Sequence, residues 1–322
     1  MKQKMIYVAL GAVWAALLGG CRHKELCYDH PHGVEVSVIF DWSAAPDATP
    51  ETMSLYLYPT EGGKPLRYEF IDCNGGKIRV PLGNYHAMCL NSSTEYVTYR
   101  NTEQLETFEV FTRTTPLLAG MGLVSVRSEN APRPEGTENE RVAQAPDRLW
   151  SGYVKGIELQ EIEGQEIRMV PRLSTSYCTI EIRNAENLGG VASMSGTLSG
   201  TSESLFPGQG SDKVGETPIT IPFGVTIWPD EKKVTAEHAI FGHCPGAANA
   251  HMLTIYAILS DNSQWYQAFD VTEQLHTAAD QRRIHIVLDG LTLPVPDAES
   301  GGGFQPTVDG WKDAEEDLVI DM

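Results

Sequence analysis

The sequence predicts an all-β protein built as two tandem antiparallel β-sandwich domains behind a lipoprotein signal peptide. Three observations carry that expectation. Short runs of alternating apolar and polar residues recur from Val34 to Leu293, each closed by Gly, Pro, Asn or Asp. No segment carries an apolar stripe at helical spacing long enough to bury a face. A Pro-rich interruption, followed by renewed strand patterning, divides the chain into two parts of ordinary domain size.

Residues 1–20 read as the signal peptide. Lys2 and Lys4 precede an apolar run from Met5 to Leu18 that is too short to span a bilayer comfortably. Leu17-Leu18-Gly19-Gly20-Cys21 then has the form of a bacterial lipobox, in which the small Gly pair admits a peptidase and the Cys21 thiol receives diacylglycerol. Three acyl chains on one terminal cysteine exceed the roughly two-signal threshold for stable anchoring, so the expected contact with the membrane is this N-terminal lipid. Residues 21–33 form a polar tether holding His23, His30 and His32, with no frame to fix a metal.

The first domain is assigned to 34–168. Val34, Val36, Val38, Phe40 and Trp42 alternate with Glu35, Ser37 and Asp41, the signature of a half-buried strand. Further strands are expected at 53–58, 66–72, 77–80, 84–90, 96–100 and 107–113, with turns at Glu61-Gly62-Gly63 and Cys73-Asn74-Gly75-Gly76. The stretch 129–147, rich in Pro, Glu, Asn and Gln, is expected to run over the surface of this domain. Strand patterning resumes at 149–153, and 157–161 with 165–171 is expected to form a hairpin around Glu163-Gly164.

The second domain is assigned to 169–293. Its strands are expected at 177–183, 194–200, 217–228, 252–259, 265–271 and 283–288, with one short helix over 270–279 capped by Asp270 or Thr272. The Ser/Gly-rich run 195–215 reads as an exposed loop around a short strand; it lacks the GK[ST] ending of a phosphate cradle. Residues 294–322 read as a Gly/Pro linker and a terminal strand, Leu318-Val319-Ile320, able to join a sheet edge of its own molecule or be donated to another subunit. Self-pairing is favoured, because an exposed apolar strand invites aggregation. Trp311 is expected to pack where the linker meets the domain.

Composition bounds the function. The chain holds 24 basic against 43 acidic residues, a net charge of −19, which argues against nucleic acid as a partner. Once Cys21 is spent on lipid, the remaining cysteines are odd in number. Unpaired buried thiols are the favoured reading, and Cys73 with Cys89, on either side of the Gly75-Gly76 turn, is the pair best placed for a disulfide. No CxxC or CxxH spacing and no helical HxxxH pair offers a metal cage, so neither metal nor cofactor is expected. A GxSxG nucleophile elbow is absent, no carboxylate spacing singles out a glycosidase pair, and the chain does not read as an enzyme. Trp42 and Trp150 read as core residues, Trp228 and Trp265 as partly exposed.

The order and spacing of three segments add a resemblance. Arg141-Val142-Ala143-Gln144-Ala145-Pro146-Asp147-Arg148-Leu149-Trp150 is followed by Pro171-Arg172-Leu173-Ser174-Thr175 before a strand, then by Thr197-Leu198-Ser199-Gly200 and Phe206-Pro207. This resembles the fimbrillin-type anchor and accessory lipoproteins of the type V pilus system, in the fimbrillin-like branch labelled a domain of unknown function. The resemblance implies transthyretin-like sandwiches, a lipid-anchored place in the outer membrane at the cell surface, and a role in anchoring, capping or tipping a fimbrium. The implied partners are pilins or other fimbrial subunits. Stalk pilins of that family carry a long pro-segment ending in a cleavable Arg, whereas here the first strand starts soon after Cys21, which points to a terminal or anchoring subunit. The alternative function is a surface lipoprotein that binds a glycan or host ligand outside any pilus.

Overall fold

The computed structural model describes residues 33–122, 130–245, 250–296 and 310–314. Strands are numbered along the chain. In the N-terminal sandwich, β1 (Gly33–Phe40), β4 (Gly75–Pro81) and β10 (Gln165–Met169) form one sheet in the order β10-β1-β4. It faces β2 (Met53–Pro59), β3 (Leu66–Phe70), β5 (Gly83–Asn91), β9 (Trp150–Leu159) and β11 (Arg172–Leu173), ordered β11-β9-β5-β2-β3. In the C-terminal sandwich, β12 (Ser176–Glu186), β16 (Thr226–Trp228), β17 (Lys233–Ile240) and β20 (Arg283–Thr292) are ordered β16-β17-β12-β20. The facing sheet contains β8 (Arg141–Val142), β13 (Val191–Ser202), β15 (Pro218–Gly224), β18 (Met252–Leu259), β19 (Gln264–Asp270) and β21 (Lys312–Asp313), in the order β21-β19-β18-β13-β15-β8. A small sheet, β14-β7-β6, joins the two halves through β6 (Val97–Arg100), β7 (Glu109–Thr112) and β14 (Ser204–Leu205).

The all-β sandwich fold therefore stands, and the alternation that predicted β1 is the one that fills the first core. Val36, Val38 and Phe40 point inward against Leu55, Leu57, Ala87 and Ile167. In the second sandwich, Ile180 and Ile182 of β12 meet Leu198, Ile221, Ile255 and Ile286. Not every ladder is antiparallel. β1 runs parallel to β10, and β12 runs parallel to β20 over most of its length.

Several expectations are corrected by what pairs with what. β9 and β10 do not close a hairpin: β9 pairs with β5, while β10 crosses to the other sheet and pairs with β1. The boundary placed after residue 168 moves to between Leu173 and Ser176, since β11 still adds to β9 in the first sandwich. The Pro-rich segment covers the second sandwich instead of the first. β8 extends the sheet beside β15, Tyr256 Oη donates to the Pro132 carbonyl at 2.6 Å, and Arg133 reaches Thr220 Oγ1 at 2.8 Å. Leu117, Leu118 and Ala131 pack with Tyr256 on that sheet's outer face.

The run 195–215 is not simply a loop, because its first part belongs to the twelve-residue strand β13. Ser195, Thr197, Ser199, Thr201 and Ser202 are all buried, with Thr201 Oγ1 donating to Ile219 O and Ser202 Oγ to Gly215 O. Bulk is excluded locally: a Cβ on Gly196 would lie 2.4 Å from the Phe223 ring. Trp265 is buried, not partly exposed, while Trp228 is 44% exposed. The expected helix shrinks to one turn, Thr272–His276, and neither Asp270 nor Thr272 caps it: the N-cap position falls on Val271 without a side-chain bond, while Asp270 Oδ1 accepts from the Thr272 N–H just ahead of it.

His238 is a costly core residue. It is 6% exposed, lies flat on Phe223 at a centroid separation of 4.3 Å, and neither ring nitrogen has a hydrogen-bond partner. Burial holds its pKa down at about 3, against an ordinary value of 6.5. The unfolded chain thus binds a proton that the folded chain refuses, so stability is intact above pH 6.5 and is lost as pH falls from there toward 3. Between these limits this residue contributes a slope approaching about 1.4 kcal/mol per pH unit. Comparing His238→Leu with the parent by urea unfolding at pH 5 and 6.5 should show the variant losing that slope; equal slopes would refute the assignment.

Candidate functional site

The two sandwiches meet through a third apolar core. Strand β2 is buried on both faces: Leu55 and Leu57 point into the first sandwich, whereas Tyr56 and Tyr58 point out with Met88 and Leu90 of β5. These outward residues are covered by Leu105, Phe108 and Val110 around the β6–β7 hairpin, and by Leu205 and Phe241 from the second half of the chain. Tyr56 and Phe108 meet edge to face at 5.1 Å. The chain segments approach so closely that a Cβ on Gly208 would sit 2.0 Å from the Leu105 carbonyl oxygen, so only glycine fits there.

Beside this core runs an ion-pair chain. Arg100 forks onto Glu109 at 2.5 Å and reaches Glu203 at 3.4 Å, while Arg141 approaches Glu203 at 3.7 Å and donates to Thr112 O. Burial tends to raise the Glu109 pKa, but its hydrogen bonds, with that from Arg100 the largest, outweigh this and hold it below the ordinary value.

Next to the shared core the sandwiches leave a cleft of about 1010 Å³. One wall is the small-residue turn Ala44–Ala48 with Arg148, Trp150 and Arg172; the other is formed by Tyr177, Ser211, Asp212, His243 and the 280–283 turn. Arg282 is fixed in it by donating to Ser174 O at 2.6 Å and Ser211 O at 2.8 Å, and burial lowers its pKa. Arg148 stacks over the Tyr177 ring at 4.8 Å. The Tyr177 hydroxyl donates to Glu237 at 2.6 Å, which, with burial, raises its pKa. Arg283 spans the opening to Asp47 at 3.5 Å.

His243 leads from the cleft to a histidine cluster. Its ring centre lies 5.1 Å from that of His276 and 6.2 Å from that of His251. His251 is buried, its Nδ1 is 3.3 Å from Ser199 O, and its Nε2 is 2.9 Å from His276 Nε2. Because a carbonyl only accepts, His251 carries its proton on Nδ1, and His276 donates to the free Nε2. Burial lowers the pKa of both His243 and His251. Among the described residues no group of three or more His, Cys, Asp or Glu side chains is arranged to hold a metal ion.

The residues singled out in the sequence are scattered. Cys21 and Leu318-Val319-Ile320 lie outside the described residues. Cys73 and Cys89 are unbridged thiols. The strand after Cys73 pairs with β1 and not with β5, so the two cysteines do not face each other across a hairpin, and Cys89 is sealed in the first core with its pKa pushed up to about 12 by burial. Nearer the end of the chain, β21 adds Lys312 and Asp313 parallel to β19, and Trp311 packs edge to face on Tyr256 at 5.3 Å. No helix among the described residues is long and apolar enough to cross a membrane. The cleft was not foreseen: of its arginines, Arg148, Arg172, Arg282 and Arg283, only the last two are neighbours in sequence, and nothing in the sequence sets the four apart.

Comparison with known proteins places this geometry. The family model described as a domain of unknown function, DUF5119, matches residues 20–224. A protein of Bacteroides ovatus that carries the provisional name fimbrium anchoring subunit Fim4B is 25% identical over 334 residues, covering 92% of each chain. A crystal structure from Bacteroides ovatus, provisionally described as an adhesin, superposes with a TM-score of 0.61 at 22% identity, over 86% of this chain and 99% of that one. A second, from Bacteroides thetaiotaomicron and provisionally described as a polysaccharide-binding protein, gives 0.53 at 8% identity, over 80% and 90% of the two chains. These superpositions show a shared fold spanning both sandwiches.

Because Phe241 is fully buried in the core common to both halves, Phe241→Ala should cost about 3–5 kcal/mol. Limited proteolysis of this variant should cut near 174–176, where the chain crosses between sandwiches, before either sandwich is degraded. Resistance equal to the parent would show that the shared core does not couple them.

Proposed function

The chain belongs to the DUF5119 family, and on that premise we propose that it is an anchoring or accessory subunit of a fimbrium, held in the outer membrane by lipid on Cys21 and displayed at the cell surface. The observation that carries this reading is the near full-length similarity to a protein named as a fimbrium anchoring subunit. The family match begins at residue 20, directly beside the cysteine of the lipobox, which supports treating the lipidated end as part of the same unit. Its partners are other fimbrial subunits, and its work is mechanical: binding and holding, with no chemical step.

The construction suits that work. Strand β1 begins at Gly33, is the central strand of its sheet, and is hydrogen-bonded along both edges, to β4 and β10. A pull on the tether along the strand loads both ladders together instead of peeling an edge strand away one bond at a time.

Cells expressing Cys21→Ala should fail to incorporate an alkyne fatty acid into this chain and should shed it into the medium together with fimbriae. Equal labelling of parent and variant would end the lipid assignment. Fimbriae retained on cells that lack the chain altogether would end the anchoring assignment.

A further inference from the structure

We propose that the cleft between the sandwiches binds an oligosaccharide bearing carboxylate groups, an activity separate from the anchoring role. Across the chain acidic residues outnumber basic ones by 43 to 24. In this recess the balance reverses: Arg148, Arg172, Arg282 and Arg283 line it against Asp47, Asp212 and Asp280. A recess with low-dielectric walls focuses such a local excess, drawing in an anion that the rest of the surface repels.

Two of the guanidinium groups, those of Arg148 and Arg282, are held in place, and the two others stand in the open. Arg283 has the only ion pair of the four with a described carboxylate, at 3.5 Å between side chains that are 71% and 83% exposed. A pair that open contributes little to stability, so a ligand carboxylate can replace Asp47. Arg282 is oriented by two backbone carbonyls, which leave its charge without a carboxylate in ion-pair contact among the described residues. Arg148 is kept flat by Tyr177, and Arg172 stands exposed on the edge strand β11 with no ion pair to a described residue. Planar forks oriented as those of Arg148 and Arg282 are favour bidentate binding of a carboxylate, with Arg172 and Arg283 free to follow it.

The remaining lining selects a sugar over a simple polyanion. Asp212 and Asp280 disfavour a dense run of phosphates or glutamates, and with the Ser211 hydroxyl they can accept the hydroxyl hydrogens of a polyhydroxylated ligand, whereas the Gln281 amide is spent on the carbonyls of Leu275, His276 and Ala278. Small apolar residues, Ala44, Ala45 and Pro46, offer a surface for the C–H faces of sugar rings. The volume, about 1010 Å³, stands at the upper end of ligand pockets and accommodates roughly two or three sugar units.

The test is calorimetric titration of the full chain with trigalacturonate, in parallel with maltotriose as the neutral counterpart and hexaglutamate as a non-sugar polyanion. Saturable binding of trigalacturonate alone is expected. Arg172→Glu and Arg148→Glu should each weaken it about tenfold or more, the effect of losing one charge-assisted hydrogen bond. Both side chains are exposed, so the melting temperature should hold; Arg172→Gln and Arg148→Gln give the same comparison without charge reversal. Arg79→Glu, on β4 and away from the cleft, should leave binding unchanged. Failure of trigalacturonate to bind, binding untouched by the cleft variants, or equally tight binding of hexaglutamate would each overturn the proposal. None of these outcomes bears on whether fimbriae are retained, so the anchoring assignment stands or falls separately.

Discussion

The structure depends on one constraint: the sheet built on β2 and β5 is apolar on both faces. Met53 to Tyr58 are buried without interruption, and β5 is buried from Ala87 to Asn91. A single two-layer sandwich satisfies only one of those faces, and leaving Tyr56, Tyr58, Met88 and Leu90 in water would expose a patch suited to aggregation. The β6–β7 hairpin cannot close that face alone, so Leu205 and Phe241 complete it from the far half of the chain. The joint between the sandwiches is thus an extension of the core. It is stiffer than a linker because separating the halves would uncover the same apolar surface that folding buries.

From this joint the mechanical character of the molecule follows. β14 adds to β7 as a strand, carrying backbone hydrogen bonds across the boundary, and Arg100 ties Glu109 to Glu203 beside it. The segment around β8 leaves the N-terminal half, covers the outer face of the C-terminal sheet and returns through Leu149 to β9. Two crossings in opposite directions, each hydrogen-bonded, make the chain hard to unzip from one end. Such resistance suits the load-bearing role proposed above.

How much of this was legible follows from what a two-residue period reports. Alternation at 34–42 gave the inward face of β1 correctly, because that face meets a core and the other does not. Alternation is silent on partners, so the crossing of β10 to pair in parallel with β1 was missed and a hairpin was expected in its place. β13 was underestimated because most of its buried positions are Ser, Thr and Gly: Thr201 and Ser202 bond to neighbouring carbonyls, and Gly196 leaves room for Phe223. The segment 130–145 looked like a surface loop because its anchors are polar. Arg133 and Glu140 hold it by hydrogen bonds to Thr220 and Gly200, contacts that hydrophobic patterning does not register.

The cleft was hidden for a related reason. Net charge averages over the chain, and the acidic total spoke only against nucleic acid as a partner, whereas binding of a small anion is decided by the field in one recess. Arg148 and Arg172 flank β9 and β10, Arg282 and Arg283 lead into β20, and Asp47 follows β1, so these residues meet only because both halves share the apolar core described above. Arg282 makes the dependence explicit: it lies in the C-terminal half, yet one of the carbonyls that aim it belongs to Ser174, at the crossing between the sandwiches. A shift of that crossing would turn the guanidinium, so the same packing that stiffens the joint also sets the geometry of the recess.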